Sequence, residues 1–169
     1  MAKYRILPDR STLTVEARSN VHPIRIRTPG FEGTIETETQ GDKLKLSNPA
    51  RARLQIAAEL MKSGIELYDA EIQRMIETRK FSQIKGELLR VEEKGQGSYC
   101  LRGRLSFHGV TKEIESNVTV RVSDGDTLEV EGEHTIDMRD FNLQPPKILM
   151  LQVLPEVSVR AKITAVREA

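Results

Sequence analysis

The segment Leu101 to Val122 constrains the chain most. Leu101, Gly103, Leu105 and Phe107 alternate with Arg102, Arg104, Ser106 and His108. After a break, Ile114, Ser116, Val118, Val120 and Val122 alternate with Glu115, Asn117, Thr119 and Arg121. Period two on both sides predicts two strands, each with one apolar and one wetted face. Between them, within His108-Gly109-Val110-Thr111-Lys112, Gly109 can take the positive φ that a tight connection needs. A meander of such strands must hide its apolar face by closing on itself or by stacking.

The same alternation recurs along the chain. Leu13, Val15 and Ala17 form one set, Ile24 and Ile26 a second, and Ala50 to Ala58 a third. Ile84, Gly86 and Leu88 continue it, then Leu128 to Ile136, then Val157 to Ala165. Turn chemistry separates the runs at Pro8-Asp9-Arg10-Ser11, Gln40-Gly41-Asp42-Lys43, Gly95-Gln96-Gly97 and Ser123-Asp124-Gly125-Asp126. Gly33 inside a run predicts a bulge or sharp bend. One stretch changes rhythm. Asp69 to Thr78 places Ile72, Met75 and Ile76 on one side of a 3.6-residue repeat, which predicts a helix with Asp69 as its N-cap. The reading is mainly β: an antiparallel barrel of about eight strands in a single domain, residues 1–169, with a helix-bearing insertion at about 60–80.

Composition removes several function classes. The 169 residues suit one domain with a sizeable core. A net charge of +1, with both signs interspersed, argues against nucleic-acid binding, which wants a basic stripe. The single cysteine, Cys100, excludes an intrachain disulfide and a multi-cysteine zinc site. It lies beside a turn with no activating base nearby and reads as an inert thiol. No apolar run approaches the ~20 residues of a membrane span, so stable membrane insertion is not expected. The start Met1-Ala2-Lys3 shows no secretory leader, and a cytoplasmic location is expected.

The chemistry-bearing residues are few. The histidines His22, His108 and His134 show no metal-ligand spacing, so no metal and no cofactor is expected. His108 falls on the polar parity of its strand. His134 shares the apolar parity of Val130 and Ile136, which leaves a polar headgroup contact and a satisfied core histidine both open. Asp137 and Asp140 could pair as carboxylates, but a turn with Arg139 as charge partner is the stronger reading. Ile148-Leu149-Met150-Leu151 is apolar on both faces and predicts either a cap on a cavity entrance or a subunit contact. From it, a homodimer is expected.

Six segments, taken in order, resemble a known family. They are Tyr4-Arg5-Ile6-Leu7-Pro8-Asp9 followed by Ser11; Val21-His22-Pro23 with Gly30-Phe31-Glu32-Gly33-Thr34-Ile35; Ser63-Gly64 with Tyr68-Asp69; Phe81-Ser82-Gln83-Ile84; Gly103 to Lys112; and Asp137 to Leu143. Together they are similar to the YceI-like family of lipocalin-like barrels. The resemblance implies a β-barrel with an extended central cavity, whose ligands in the family are polyisoprenoid chains or long-chain lipids. It also implies a polar role for His22 at the barrel mouth. Many members are periplasmic. The chain departs from the family in lacking a leader and tryptophan, and in carrying Asn142 where a glycine is usual.

The expectation for function is non-enzymatic binding or transport of a polyisoprenoid or long-chain lipid in the barrel lumen. Leu13, Val15, Ile26, Leu54, Ile56, Leu105, Phe107, Val118, Val120, Ile136, Val157 and Val159 are predicted to face that lumen, with His22 and His134 as polar contacts near the mouth. This assumes that no bulge inverts a strand's parity. A filled barrel with a structural or stress-related role, acting through surface or dimer contacts, is the alternative. A small hydrolase acting on an amphiphile ranks last, because no nucleophile elbow or metal spacing is present.

Overall fold

A computed structural model describes residues 1–169. Twelve strands and one helix follow one another along the chain. The strands are β1 (Ala2–Ile6), β2 (Thr12–Ser19), β3 (Ile24–Pro29), β4 (Glu32–Gln40), β5 (Lys43–Lys45) and β6 (Arg51–Ala57). After helix α1 (Glu66–Ile76) come β7 (Gln83–Gly95), β8 (Ser98–Phe107), β9 (Val110–Ser123), β10 (Thr127–Asp137), β11 (Lys147–Ile148) and β12 (Leu151–Arg167). They form a closed eight-stranded antiparallel barrel with one helix.

Eight walls arise from twelve strands because two walls are broken in two and the short strands β5 and β11 lie off the barrel, paired to β4 and β12. Pro8 interrupts the first, so β1 and β2 lie end to end along β12: Tyr4 pairs with Arg167, and Val15 with Val159. At the break, the buried Ser11 hydroxyl replaces the missing ladder by accepting from the amide of Thr164, 3.1 Å away. Pro29-Gly30 divides the second wall into β3 and β4. Gly33 then takes φ 146°, and a Cβ there would stand 2.0 Å from the carbonyl oxygen of Arg53. Only glycine allows β6 to pass that close.

Alternation sorts the two faces. Outside, unlike charges meet across strands, as in Arg104–Glu87 (3.6 Å), Lys162–Glu131 (3.6 Å) and Arg160–Glu133 (3.1 Å). Each exposed pair adds at most about 1 kcal/mol, so these ladders set solubility and register more than stability. Inside, the aliphatic sets form one continuous core.

The two ends of the barrel differ. At one end Tyr4 and Tyr99 are fully buried and anchored: Tyr4 donates to the carbonyl of Gly125 (2.7 Å), and the Tyr99 oxygen accepts from the amide of Leu44 (3.0 Å). The β4–β5 hairpin thereby folds over this end. At the other end α1 and the segment 138–150 lie across the opening.

The helix starts earlier than the sequence pattern implies, at Glu66, and ends at Ile76 with Glu77 in a left-handed cap, φ 55°. Asp69 is therefore not the N-cap. It sits one turn inside, where its carboxylate accepts from the amides of Ser63 (2.6 Å) and Gly64 (3.2 Å) and from the Ser63 hydroxyl (2.7 Å). The same residue that reads as a cap in sequence instead pins the loop that delivers the chain to the helix.

Candidate binding site

The barrel encloses a cavity of about 400 Å³ lined by 48 residues, 38 of them hydrophobic. That size lies within the usual range of roughly 300–1,000 Å³ for ligand sites. The structure places all twelve residues predicted to face the lumen on its wall. Parity survives because bulges fall where they do not invert the working part of a strand. The bulge in β12, between Val153 and Val157, contains Pro155, which has no amide to give the ladder.

Glu87, Arg104 and Glu133 border the cavity without charging it. Glu87 pairs with Arg104 on the outer face. The Glu133 carboxylate accepts from the Ser158 hydroxyl (2.9 Å) and from Arg160 (3.1 Å), and these bonds hold its pKa below the usual carboxylate value. The remaining polar side chains on the cavity wall are Thr37 and, on two neighbouring strands, His134 and Ser116.

His134 and Ser116 lie just beyond the end of the β9–β10 ladder. β9 pairs with β8 along its length to Val110, and β10 pairs with β12 as far as Asp137. Between β9 and β10 themselves the ladder runs only from Ser123–Thr127 to Val118–Gly132. Beyond that point the Ser116 hydroxyl reaches the Glu133 carbonyl at 3.5 Å, and the two strands part. Continuing the register brings His134 abreast of Ser116. The turn of 3-10 helix at Met138–Phe141 fills the space below, with Met138 and Phe141 buried. Asp137 caps this turn: it accepts from the Arg139 amide (2.9 Å) and twice grips its guanidinium (2.7 and 3.0 Å). The guanidinium bonds, foremost, hold the Asp137 carboxyl below its usual range. Asp137 and Asp140 thus form no carboxylate pair. Asn142 follows at φ 56°. The usual family glycine is explained by this left-handed position, and asparagine is the side chain that tolerates it best.

Helix α1 closes the opening from the other side. Ile72, Met75 and Ile76 line the cavity, and Gln73 ties the helix down by donating to the Met61 carbonyl at 3.0 Å. His108 joins the two covers. It occupies the β8–β9 turn at φ 53°, so its ring leaves the strand parity that places it on the wet face. Nδ1 lies 3.0 Å from the Phe141 carbonyl and Nε2 lies 3.0 Å from the Glu77 carboxylate. Carbonyl and carboxylate both accept, so a ring nitrogen bonds to either of them as the donor. Phe81 packs edge-on against the imidazole at 4.6 Å and rests on Gly109, whose missing Cβ leaves it room. Three segments distant in sequence meet at this one side chain. A histidine directly before a turn glycine was the available signal.

The other sequence candidates fall outside the cavity. His22 is exposed on the β2–β3 turn, with Nδ1 3.0 Å from the Pro23 carbonyl and Nε2 3.3 Å from the Tyr68 hydroxyl. It belongs to the outer rim and does not face the lumen, because the turn around Ser19 curls it away. The Cys100 thiol donates a hydrogen bond to Glu115 (Sγ–Oε1 3.2 Å), which raises its pKa and disfavours the nucleophilic thiolate. Leu143, Pro146 and Ile148, from a stretch with no periodicity, also line the cavity.

Solved structures share this architecture. BcnA of Burkholderia cenocepacia superposes with a TM-score of 0.82 at 16% identity, covering 95% of this chain and 99% of its own. A polyisoprenoid binding domain from Saccharophagus degradans, implicated in plant cell wall breakdown, gives 0.77 at 17% identity, covering 99% and 100%. The Campylobacter jejuni YCEI protein gives 0.58 at 13% identity, covering 80% and 84%. No curated protein sequence matches significantly. The model of the YceI-like domain matches residues 4–165, and with that match the chain belongs to the YceI-like family.

Proposed function

We propose that the barrel is a non-catalytic carrier that holds one long hydrophobic chain, a polyisoprenoid or long-chain lipid, along its axis. The observation that carries this reading is the apolar cavity of about 400 Å³ with no charged group turned inward. An interior already packed with its own side chains, the filled-barrel alternative, would leave no such volume. The Saccharophagus relative described as polyisoprenoid binding supports the ligand class.

Magnitudes favour a long guest. Each buried methylene contributes about 0.8 kcal/mol, so ten give roughly 8 kcal/mol. Association removes about 4–15 kcal/mol of translational and rotational freedom. A short acyl chain therefore gains little, and affinity should rise steeply with length. His134 and Ser116 are the groups placed to meet a hydroxyl or other uncharged polar end.

Native mass spectrometry of freshly purified protein, followed by organic extraction, tests the reading. A hydrophobic mass released on denaturation is expected, and apo protein should take up an added long-chain prenol. Ala161→Trp, which places an indole in the lumen beside Gly132 and Leu13, should abolish uptake while preserving the melting transition. Protein at its bare mass that also refuses added prenol and fatty-acyl chains would overturn the proposal.

A further inference from the structure

The three large apolar side chains with the greatest fractional exposure lie on two neighbouring turns. The two-residue turn between β11 and β12 holds Leu149 and Met150, 79% and 85% exposed. Leu149 takes φ 56°, a left-handed conformation that favours glycine or asparagine. A branched apolar residue is thus held in an unfavourable backbone position with nothing from this chain covering it. Val21, 67% exposed, stands on the adjoining β2–β3 turn. Asn20 fastens the two turns together: its side chain donates to the Met150 carbonyl (3.1 Å) and accepts from the Gln152 amide (2.8 Å). The tip is therefore a built, double-turn feature.

Its surroundings identify what it meets. Arg18 and Lys147 flank the two turns, both exposed and without a carboxylate within salt-bridge distance, while the nearby Glu16 is held by Arg25 at 3.1 Å. Apolar points with unpaired cations behind them match an anionic bilayer, where the side chains enter the acyl boundary and the cations meet headgroup phosphates. The tip is also continuous with the lumen. Ile148 and Val153, directly before and shortly after it, line the cavity, as does Pro146.

We propose that Leu149, Met150 and Val21 dock the gated end of the barrel reversibly on an anionic lipid membrane, so that a chain passes between bilayer and lumen without crossing water. This rests on the carrier reading above. Flotation with vesicles of equal parts phosphatidylcholine and phosphatidylglycerol tests the docking itself. The protein is expected to float with them, and pure phosphatidylcholine should lower the partition on the order of ten- to thirtyfold, the effect of two surface cations. Leu149→Asn with Met150→Ser should lose flotation, keep prenol uptake and melt no lower than the parent, since asparagine suits the turn.

Equal flotation of that variant and the parent, or no flotation of the parent, would overturn the docking proposal. So would a parent dimer in sedimentation that the variant dissolves, because the tip would then serve a second copy. Prenol-loaded protein that stays off vesicles sinks the docking alone. Protein that floats but binds no chain sinks the carrier reading alone.

Discussion

The two ends of the barrel are built by different chemistry. At the anchored end the turns use residues suited to them, Gly41, Gln96-Gly97 and Asp124-Gly125, and two buried tyrosines bond to backbone across the opening. At the gated end the cover is assembled from pieces: a short helix, a turn of 3-10 helix, and a pair of strands whose ladder stops at Val118–Gly132. Four of the five non-glycine residues with positive φ lie there, namely Glu77, His108, Asn142 and Leu149. Strain of about 1–3 kcal/mol per residue persists only where surrounding contacts impose it. One end is thus tied by buried tyrosines bonded to backbone, and the other is covered by irregular segments that pack Ile72, Ile76, Met138 and Phe141 into the core and are joined by a few polar contacts. For the proposed carrier, that asymmetry leaves one end through which a guest can exchange.

The largest expected effect comes from breaking the anchored end. Tyr99→Ala should lower global stability by about 3–5 kcal/mol, the usual loss for truncating a buried aromatic. Tyr99→Phe keeps the volume and orphans the Leu44 amide, for about 1–3 kcal/mol. Urea denaturation followed by far-UV circular dichroism measures both. A Tyr99→Ala loss below 1 kcal/mol would mean that the anchored end is as loosely held as the gated one.

The gated end should answer differently. His108→Asn keeps a residue that accepts φ 53° but cannot reach both Phe141 and Glu77. It should cost about 1–2 kcal/mol, since the Glu77 end of the contact is half exposed. Most of the loss should be local. Amide exchange is expected to quicken in α1 and residues 138–143 while β7, β8 and the Tyr99 region keep their protection. Release of a bound prenol should also quicken. Uniformly faster exchange across the barrel would show that the ends are coupled, and the comparison would fail.

This division also decides what could be read from sequence. The walls were legible because period-two patterning is imposed by burial, and every predicted lumen residue lies on the cavity wall. Gly33, Gly109 and the turn at Asp124-Gly125 were legible because their backbone angles admit few residues. The gate was not. Asp69 carries cap chemistry, but that chemistry serves Ser63 and Gly64 instead of the helix end. His108 reads as a wet-face residue until its left-handed φ turns the ring toward Phe141 and Glu77. His22 matches a family position, yet its orientation follows from a turn that no periodicity describes. Strand parity reports burial on a regular element, whereas the gate consists of contacts between irregular ones.

The smallest expected effect lies in the cap of the 3-10 turn. Bonds from Arg139 lower the Asp137 carboxyl pKa in the folded chain relative to the unfolded one, where about 3.9 applies. A depressed folded value means that the group's contribution is fully present above the unfolded pKa and fades as pH falls through the folded one. Near neutrality the gate therefore keeps this cap. In acid, below about pH 4, the turn at Met138–Phe141 should loosen before the anchored end responds. Carboxyl-carbon chemical shifts through an acid titration would give the Asp137 midpoint, which should lie below the usual aspartate value, and Asp137→Asn should remove the accompanying change at Arg139 and Phe141. A midpoint at or above the usual value would show that the Arg139 grip is too weakly populated in solution to hold the turn, leaving the bond between His108 and the Phe141 carbonyl to hold it.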